Sequence, residues 1–144
     1  VVGKGVLPAL SFVPRNKIDI DLGILVNEQM ETSSAGIFAA GDVAECVDIS
    51  RQTRWVNAIW PEAAVQGRIA GLNMAGRAVA YPGSLSRNVM RVLALDVMTI
   101  GHVNPRATDG CEVLAATNPV TETYRKMVFR DDVLTGAMML NNVE

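Results

Sequence analysis

Thr32-Ser-Ser-Ala-Gly36-Ile37-Phe-Ala-Ala-Gly41-Asp42 decides how this chain is read, because an apolar run, Ile37 to Ala40, leads straight into Gly41-Asp42. A continuous apolar run of this length fits a strand covered on both faces of an α/β sheet, where ligands gather at the carboxyl ends of strands. Gly41 has no Cβ and admits a second backbone or a ligand at close range. Asp42 then places a carboxylate at the end of the expected strand. Its two oxygens can accept charge-assisted hydrogen bonds from sugar or ribityl hydroxyls, each worth roughly 1.5–3 kcal/mol. The same residue could equally cap the turn that follows, and the eleven residues alone leave both readings open.

Downstream, residues 43–54 are polar and without clear period and are expected to form a surface loop. Pro61 then opens the strongest helix signal in the chain. Proline is tolerated in the first turn, Glu62 suits the positive end, and Gly76 marks the expected stop. Val65, Ile69 and Leu72 predict an apolar stripe, and Gly67 and Gly71, four residues apart, predict a flat strip for close packing. Trp55 and Trp60 precede the helix, and either ring could flank a planar ligand or serve as an ordinary packing anchor, with Trp60 the better placed of the two.

Upstream, Val1–Val6 reads as a short strand, Ala9–Val13 as a helical turn, and Ile18–Asp21 with Gly23–Asn27 as a ribbon. Asp19 and Asp21 alternate with Ile18, Ile20 and Leu22, which assigns the carboxylates to a wet strand face rather than to a metal site needing convergent oxygens. The texture changes between Arg77 and Gly83. Residues 88–95, 96–101, 112–117, 123–129 and 133–140 then read as five short strands, with the sharpest hairpin turn at Arg130-Asp-Asp132. Met127, Met138 and Met139 add soft apolar surface suited to a core or an interface.

Three blocks together resemble the FAD-dependent, NAD(P)H-using pyridine nucleotide (disulfide) oxidoreductases. The first is the motif ending Ile37-Phe-Ala-Ala-Gly-Asp42; the second is Trp60-Pro-Glu-Ala-Ala-Val-Gln-Gly through Gly76. That helix is similar to the branch holding nitrite reductase large subunits, rubredoxin reductases and NADH oxidases, although Glu62 stands where the branch has Asn. The third comprises Gly83–Gly101 and Tyr124–Leu140, which resemble the opening strands and closing hairpin of the family's C-terminal interface domain. Val1-Val-Gly-Lys-Gly-Val-Leu-Pro8 is similar to the strand leaving the NAD domain and lacks the glycine pattern of a dinucleotide fingerprint.

The resemblance implies an α/β fragment of a FAD/NAD(P)-binding domain over residues 1–80, followed by an α+β lobe with an antiparallel sheet over 81–144. That interface (dimerisation) lobe would lack the final helix usual in the family. It implies FAD as cofactor, with NAD(P)H used by a full-length parent of which this is a carboxy-terminal piece. The expected contacts are Gly41, Asp42 and Val43 toward the ribityl and neighbouring phosphate-sugar region, and Trp60, Pro61, Glu62 and Ala63 at the flavin's pyrimidine edge. Helix-start amides near Glu62 and Ala63 would present partial positive charge to the flavin, with the Glu62 side chain turned outward. It further implies homo-oligomerisation through the C-terminal lobe, a possible electron-transfer protein as acceptor, and a cytoplasmic setting. The competing reading is a non-catalytic dimerisation or partner-docking module.

The chain has 144 residues and a formal net charge of −2, with its cations scattered. This length is short for a two-nucleotide enzyme, and the charge pattern gives no footprint for nucleic acid. No apolar run approaches the roughly 18 residues of a membrane span. Cys46 and Cys111 are far apart and lack the spacing of a redox pair. His102 is the sole histidine, and its setting predicts a structural or exposed role.

Overall fold

The computed structural model describes residue 3 and residues 5–141, and within these the chain divides into two compact units. The first comprises residues up to Asp48 together with Gln52–Ser84; the second comprises Ile49–Arg51 and Leu85 onward. The strand expected over Val1–Val6 falls largely outside the described residues.

In the first unit a small sheet runs in the order β1 (Ile24–Leu25), β2 (Ala44–Asp48), β3 (Thr53–Trp55). β1 lies parallel to β2, and β2 pairs antiparallel with β3 through Cys46–Trp55 and Val47–Arg54. The stretch expected as a surface loop is therefore a hairpin, and Ala44, Glu45, Cys46 and Asp48 within it are buried. The polar residues that suggested solvation are satisfied inside. Glu45 Oε2 accepts the Gly23 N–H at 2.9 Å, and Asp48 Oδ2 accepts from Asn57 Nδ2 at 2.7 Å. Arg54 Nη1 donates to the carbonyls of Val26 and Glu45. A buried polar group that finds its partner carries little penalty, so polarity alone did not predict exposure here.

The run Ile37–Ala40 is extended but is not a regular strand. Phe38 makes one antiparallel bridge to Glu31, and the amide of Ala39 donates to Met30 O at 3.1 Å. The preceding residues turn back on themselves: Thr32 Oγ1 accepts the Ser34 N–H, and Glu31 Oε1 accepts the Gly36 N–H. Among the described residues this run has no second neighbouring strand, so the backbone takes strand geometry without a two-sided ladder. Asp19 and Asp21 are exposed as expected, and no cluster among the described residues could hold a metal ion.

Helix α1 spans Trp60–Met74 with Pro61 in its first turn. It ends as the sequence predicts. Gly76, at φ 79°, donates to Asn73 O, and Arg77 donates to Leu72 O, the paired closure that a left-handed residue after a helix allows. The buried core of the unit gathers Val13, Ile18, Ile24, Val26, Met30 and Ala44 around Ile69 and Ala70 of the helix. No described helix is long and apolar enough to cross a membrane.

The second unit is a five-stranded antiparallel sheet in the order β4 (Arg87–Val92), β5 (Leu95–Gly101), β8 (Val133–Leu140), β7 (Thr123–Arg130), β6 (Glu112–Asn118). All five expected strands form. The first is shorter than predicted, because Leu93 at φ 56° starts the turn into β5. Asp131 and Asp132 take φ 48° and 61°, the left-handed pair that closes a tight β7–β8 hairpin. The register puts Val89, Met98, Met139 and Arg125 in one row and Ile100, Ala137, Met127 and Leu114 in the next, on the same face. His102 is buried: its Nε2 lies 3.4 Å from Asp109 Oδ2, in a turn where the Asp109 carboxylate also accepts the Arg106 amide. That backbone bond, more than the nearby imidazole, holds the Asp109 carboxyl below the usual carboxylate range.

Candidate functional site

Gly41, Asp42 and Val43 form a single 3-10 turn following Ala40, which is extended at φ −150°. Gly41 sits at φ 78°, a conformation that side chains resist, and a Cβ there would lie 3.4 Å from the Cβ of Ala63. The glycine turns the chain, and the turn it makes rests against the first turn of α1. The two halves of the candidate site named from sequence, Gly41–Val43 and Trp60–Ala63, are brought together in this way.

Asp42 is exposed, and its carboxylate makes no hydrogen bond among the described residues. It is therefore not spent in capping the turn, one of the two readings left open by the sequence. With Val43 it lies at the wall of a cavity of about 510 Å3, otherwise lined mainly by apolar groups such as Leu7, Pro8, Leu22 and Trp55. The combination of an apolar hollow of this size and one acceptor-only carboxylate is the usual construction of a small-molecule site. The acid supplies orientation, and the walls supply contact area.

The start of α1 differs from expectation in two respects. The Glu62 side chain does not turn outward; it is 4% exposed and accepts the hydroxyl proton of Tyr81. A phenol donor and the positive end of the helix both compensate a carboxylate at this place, which is why it can be drawn in. Burial, followed by the bond to Glu62, raises the Tyr81 phenol well above the usual range and keeps it a donor. The second difference concerns the amides. The Ala63 N–H is taken by Ile59 O at 3.1 Å, and Pro61 has none to give, so the Ala63 contribution is dipolar rather than a free donor.

Trp60 is 83% exposed and lies outside the cavity wall, whereas Trp55, the ring ranked second from the sequence, lines it. The sequence reading also missed Gln66 and Tyr81. Gln66 is 1% exposed; its Oε1 accepts the Gly41 N–H at 2.8 Å, and its Nε2 points to Tyr81 Oη at 3.4 Å and Cys46 Sγ at 3.6 Å. The spacing of Glu62 and Gln66, one helical turn apart, was the available signal. Burial pushes the Cys46 thiol up, so this buried cysteine is a poor nucleophile.

Comparison with known proteins bears directly on this arrangement. Residues 87–144 match the family model described as the rubredoxin NAD+ reductase C-terminal domain. Subunit epsilon of the NADH-dependent phenylglyoxylate dehydrogenase of Aromatoleum evansii is 30% identical over 144 residues, covering 98% of this chain and 34% of that protein. The NADH-rubredoxin oxidoreductase of Clostridium acetobutylicum is 33% identical over 103 residues, covering 72% of this chain and 26% of that protein. The crystal structure of the same Clostridium enzyme superimposes with a TM-score of 0.73 at 28% identity, over 96% of this chain and 34% of that one. Residues 87–144 are thus a rubredoxin NAD+ reductase C-terminal domain, and the chain as a whole is similar to part of these NADH-dependent oxidoreductases.

A FAD-dependent pyridine nucleotide-disulphide oxidoreductase from Desulfovibrio vulgaris shares the fold at a TM-score of 0.82 and 19% identity, over 97% of this chain and 36% of that one. The α/β portion followed by an antiparallel sheet is accordingly an architecture of these oxidoreductases. The chain spans 34% and 26% of the length of the two curated relatives named above.

Proposed function

We propose that this chain forms the flavin-binding and interface portion of a longer NAD(P)H-dependent FAD oxidoreductase that passes electrons from NAD(P)H through FAD to an acceptor. The observation that carries the reading is the exposed Asp42 carboxylate, without a hydrogen bond among the described residues, on the wall of an apolar cavity and in a turn seated on the first turn of α1. The donor set fits the group. Carboxylate oxygens accept from the ribityl or neighbouring sugar hydroxyls, and Gly41 and Val43 shape the approach. The α1 start, with Pro61, Glu62 and Ala63, lays the positive end of a helix dipole toward the pyrimidine edge. The Trp55 ring on the cavity wall, rather than the exposed Trp60, is the one that would flank the ligand. When bound, FAD supplies the hydride and electron chemistry, and the protein orients it and tunes its potential.

Adenosine and pyrophosphate contacts would come from elsewhere in the longer polypeptide, so the 144-residue chain by itself is expected to turn over no NADH. One relative is named an NADH-rubredoxin oxidoreductase, which supports an electron-transfer protein as the acceptor. The decisive variant is Asp42→Ala in the longer polypeptide. Loss of even one charge-assisted bond of about 1.5 kcal/mol weakens FAD binding by roughly tenfold. Equilibrium titration followed by flavin absorbance measures it, and unchanged affinity removes the basis of the proposal.

A second role is favoured by a separate observation: one face of the second unit's sheet carries Val89, Ile100, Met127 and Leu114, all exposed. Such a face suits self-association through the C-terminal lobe.

A further inference from the structure

We propose that Gln66 is a positioning residue for the flavin-binding turn, holding Gly41, and through it Asp42, against α1. This inference rests on the flavin reading above and deepens it.

Gln66 is 1% exposed, and its side chain joins two places far apart in sequence. Oε1 accepts the Gly41 N–H at 2.8 Å; Nε2 faces Tyr81 Oη and Cys46 Sγ. Its amide orientation is thereby set on both sides, with the acceptor toward the peptide N–H and the donors toward oxygen and sulfur. Tyr81 is fixed in turn, since its hydroxyl donates to Glu62 and its own amide donates to Glu28 O at 2.7 Å. The result is a continuous series from Glu62 at the helix start, through Tyr81 and Gln66, to the Ala40–Gly41 peptide, one residue before Asp42.

Neither end of the series touches the cavity, yet its effect reaches it. The positive φ of Gly41 leaves the direction of Asp42 to whatever restrains that peptide, and Gln66 is a side-chain restraint upon it. Removing the restraint leaves the carboxylate chemically intact but less well aimed, which costs affinity for a ligand that needs fixed geometry. A merely structural glutamine would instead lower the stability of the fold and leave binding by the folded protein unaltered.

The test uses the flavin-loaded longer polypeptide with two substitutions of similar size. Gln66→Met removes both functions of the amide; Gln66→Glu keeps an acceptor for Gly41 and loses the Nε2 donors. FAD affinity, flavin midpoint potential and the visible flavin spectrum are read for each. The expected result is roughly five- to tenfold weaker binding with a shifted potential for Gln66→Met, and recovery of most of the affinity for Gln66→Glu. Binding within twofold of native in Gln66→Met, or a Gln66→Glu protein no better than Gln66→Met, overturns the inference.

Amide exchange in the native protein provides a check that needs no substitution. The Gly41 amide is expected to exchange slowly, and exchange at the rate of an open chain also overturns the inference. If native protein takes up no FAD, the functional reading itself fails. If native protein binds FAD and the Gln66 series changes nothing, the positioning role alone fails.

Discussion

At Glu62 and Tyr81, sequence and structure part company for a reason that can be stated in terms of charge. An acid in the first turn of a helix is ordinary and was expected to face water, but here a neutral phenol lies within reach, and the pair is buried together. The partner is nineteen residues away and follows the helix, so nothing local in the sequence announces it. Asp42, by contrast, could be singled out locally, because its proposed role depends on one side chain at one turn. The buried phenol and thiol also have a thermodynamic consequence. Tyr81 and Cys46 both hold their protons in the folded state above the pH at which free groups release them, near 10.0 and 9.0. Their contribution to stability is therefore complete below about pH 9 and drains away as pH rises past those values, by at most about 1.4 kcal/mol per pH unit for each group. Tyr81→Phe removes one such group. Urea unfolding between pH 8 and pH 11 should give a shallower alkaline loss of stability in Tyr81→Phe than in the native chain, and equal slopes would refute the assignment.

For the helix, the sequence yielded the boundaries and turned Ile69 inward correctly, but it misplaced Val65 and missed the polar part of the buried face. Val65 was placed on a buried stripe and is exposed, whereas the inward face carries Glu62, Gln66, Ile69, Ala70 and the half-buried Asn73. Asn73 donates to Gln29 O and Val79 O and accepts the Val79 N–H, so it fastens the end of α1 as Gln66 fastens its first half. A helix that buries hydrogen-bonded polar groups defeats an apolar-stripe reading, because that reading counts only carbon. The β2–β3 hairpin escaped notice for the same reason. Gly67 and Gly71 were expected to admit a neighbouring backbone, but a Cβ at either meets nothing within 4 Å. With no contact to lose, glycine at position 71 contributes only its conformational freedom. Gly71→Ala should stabilise the 144-residue chain by about 0.5–1 kcal/mol, seen as a thermal midpoint raised by a few degrees. A lower midpoint would mean that the open space at Gly71 is filled in solution.

Across the whole molecule, the two units differ in how much apolar surface they hide. The first closes a core around α1, while in the second Val128 and Ala137 are the deeply buried apolar side chains among the described residues. The alternation of the five strands was readable, since hairpin turns and β-rich runs are local signals; what lies against the sheet is not local and was not readable. The register collects Val89 at 75% exposure, Leu114 at 53% and Ile100 at 38% on one face, with Met98, Met127 and Met139 among them. Each of these side chains forgoes roughly 25 cal/mol per Å2 while it faces water, and a second copy presenting the same face would recover it for both. The expected outcome is concentration-dependent self-association of the native chain by light scattering, abolished in a Val89→Lys, Leu114→Lys double variant. Those positions face water in the single chain, so the lysines should leave its fold and thermal midpoint nearly unchanged while placing charge where the apolar contact would form. A native chain that stays monomeric at every concentration, or a double variant that associates as strongly as the native chain, would show that this face serves some contact other than one between copies.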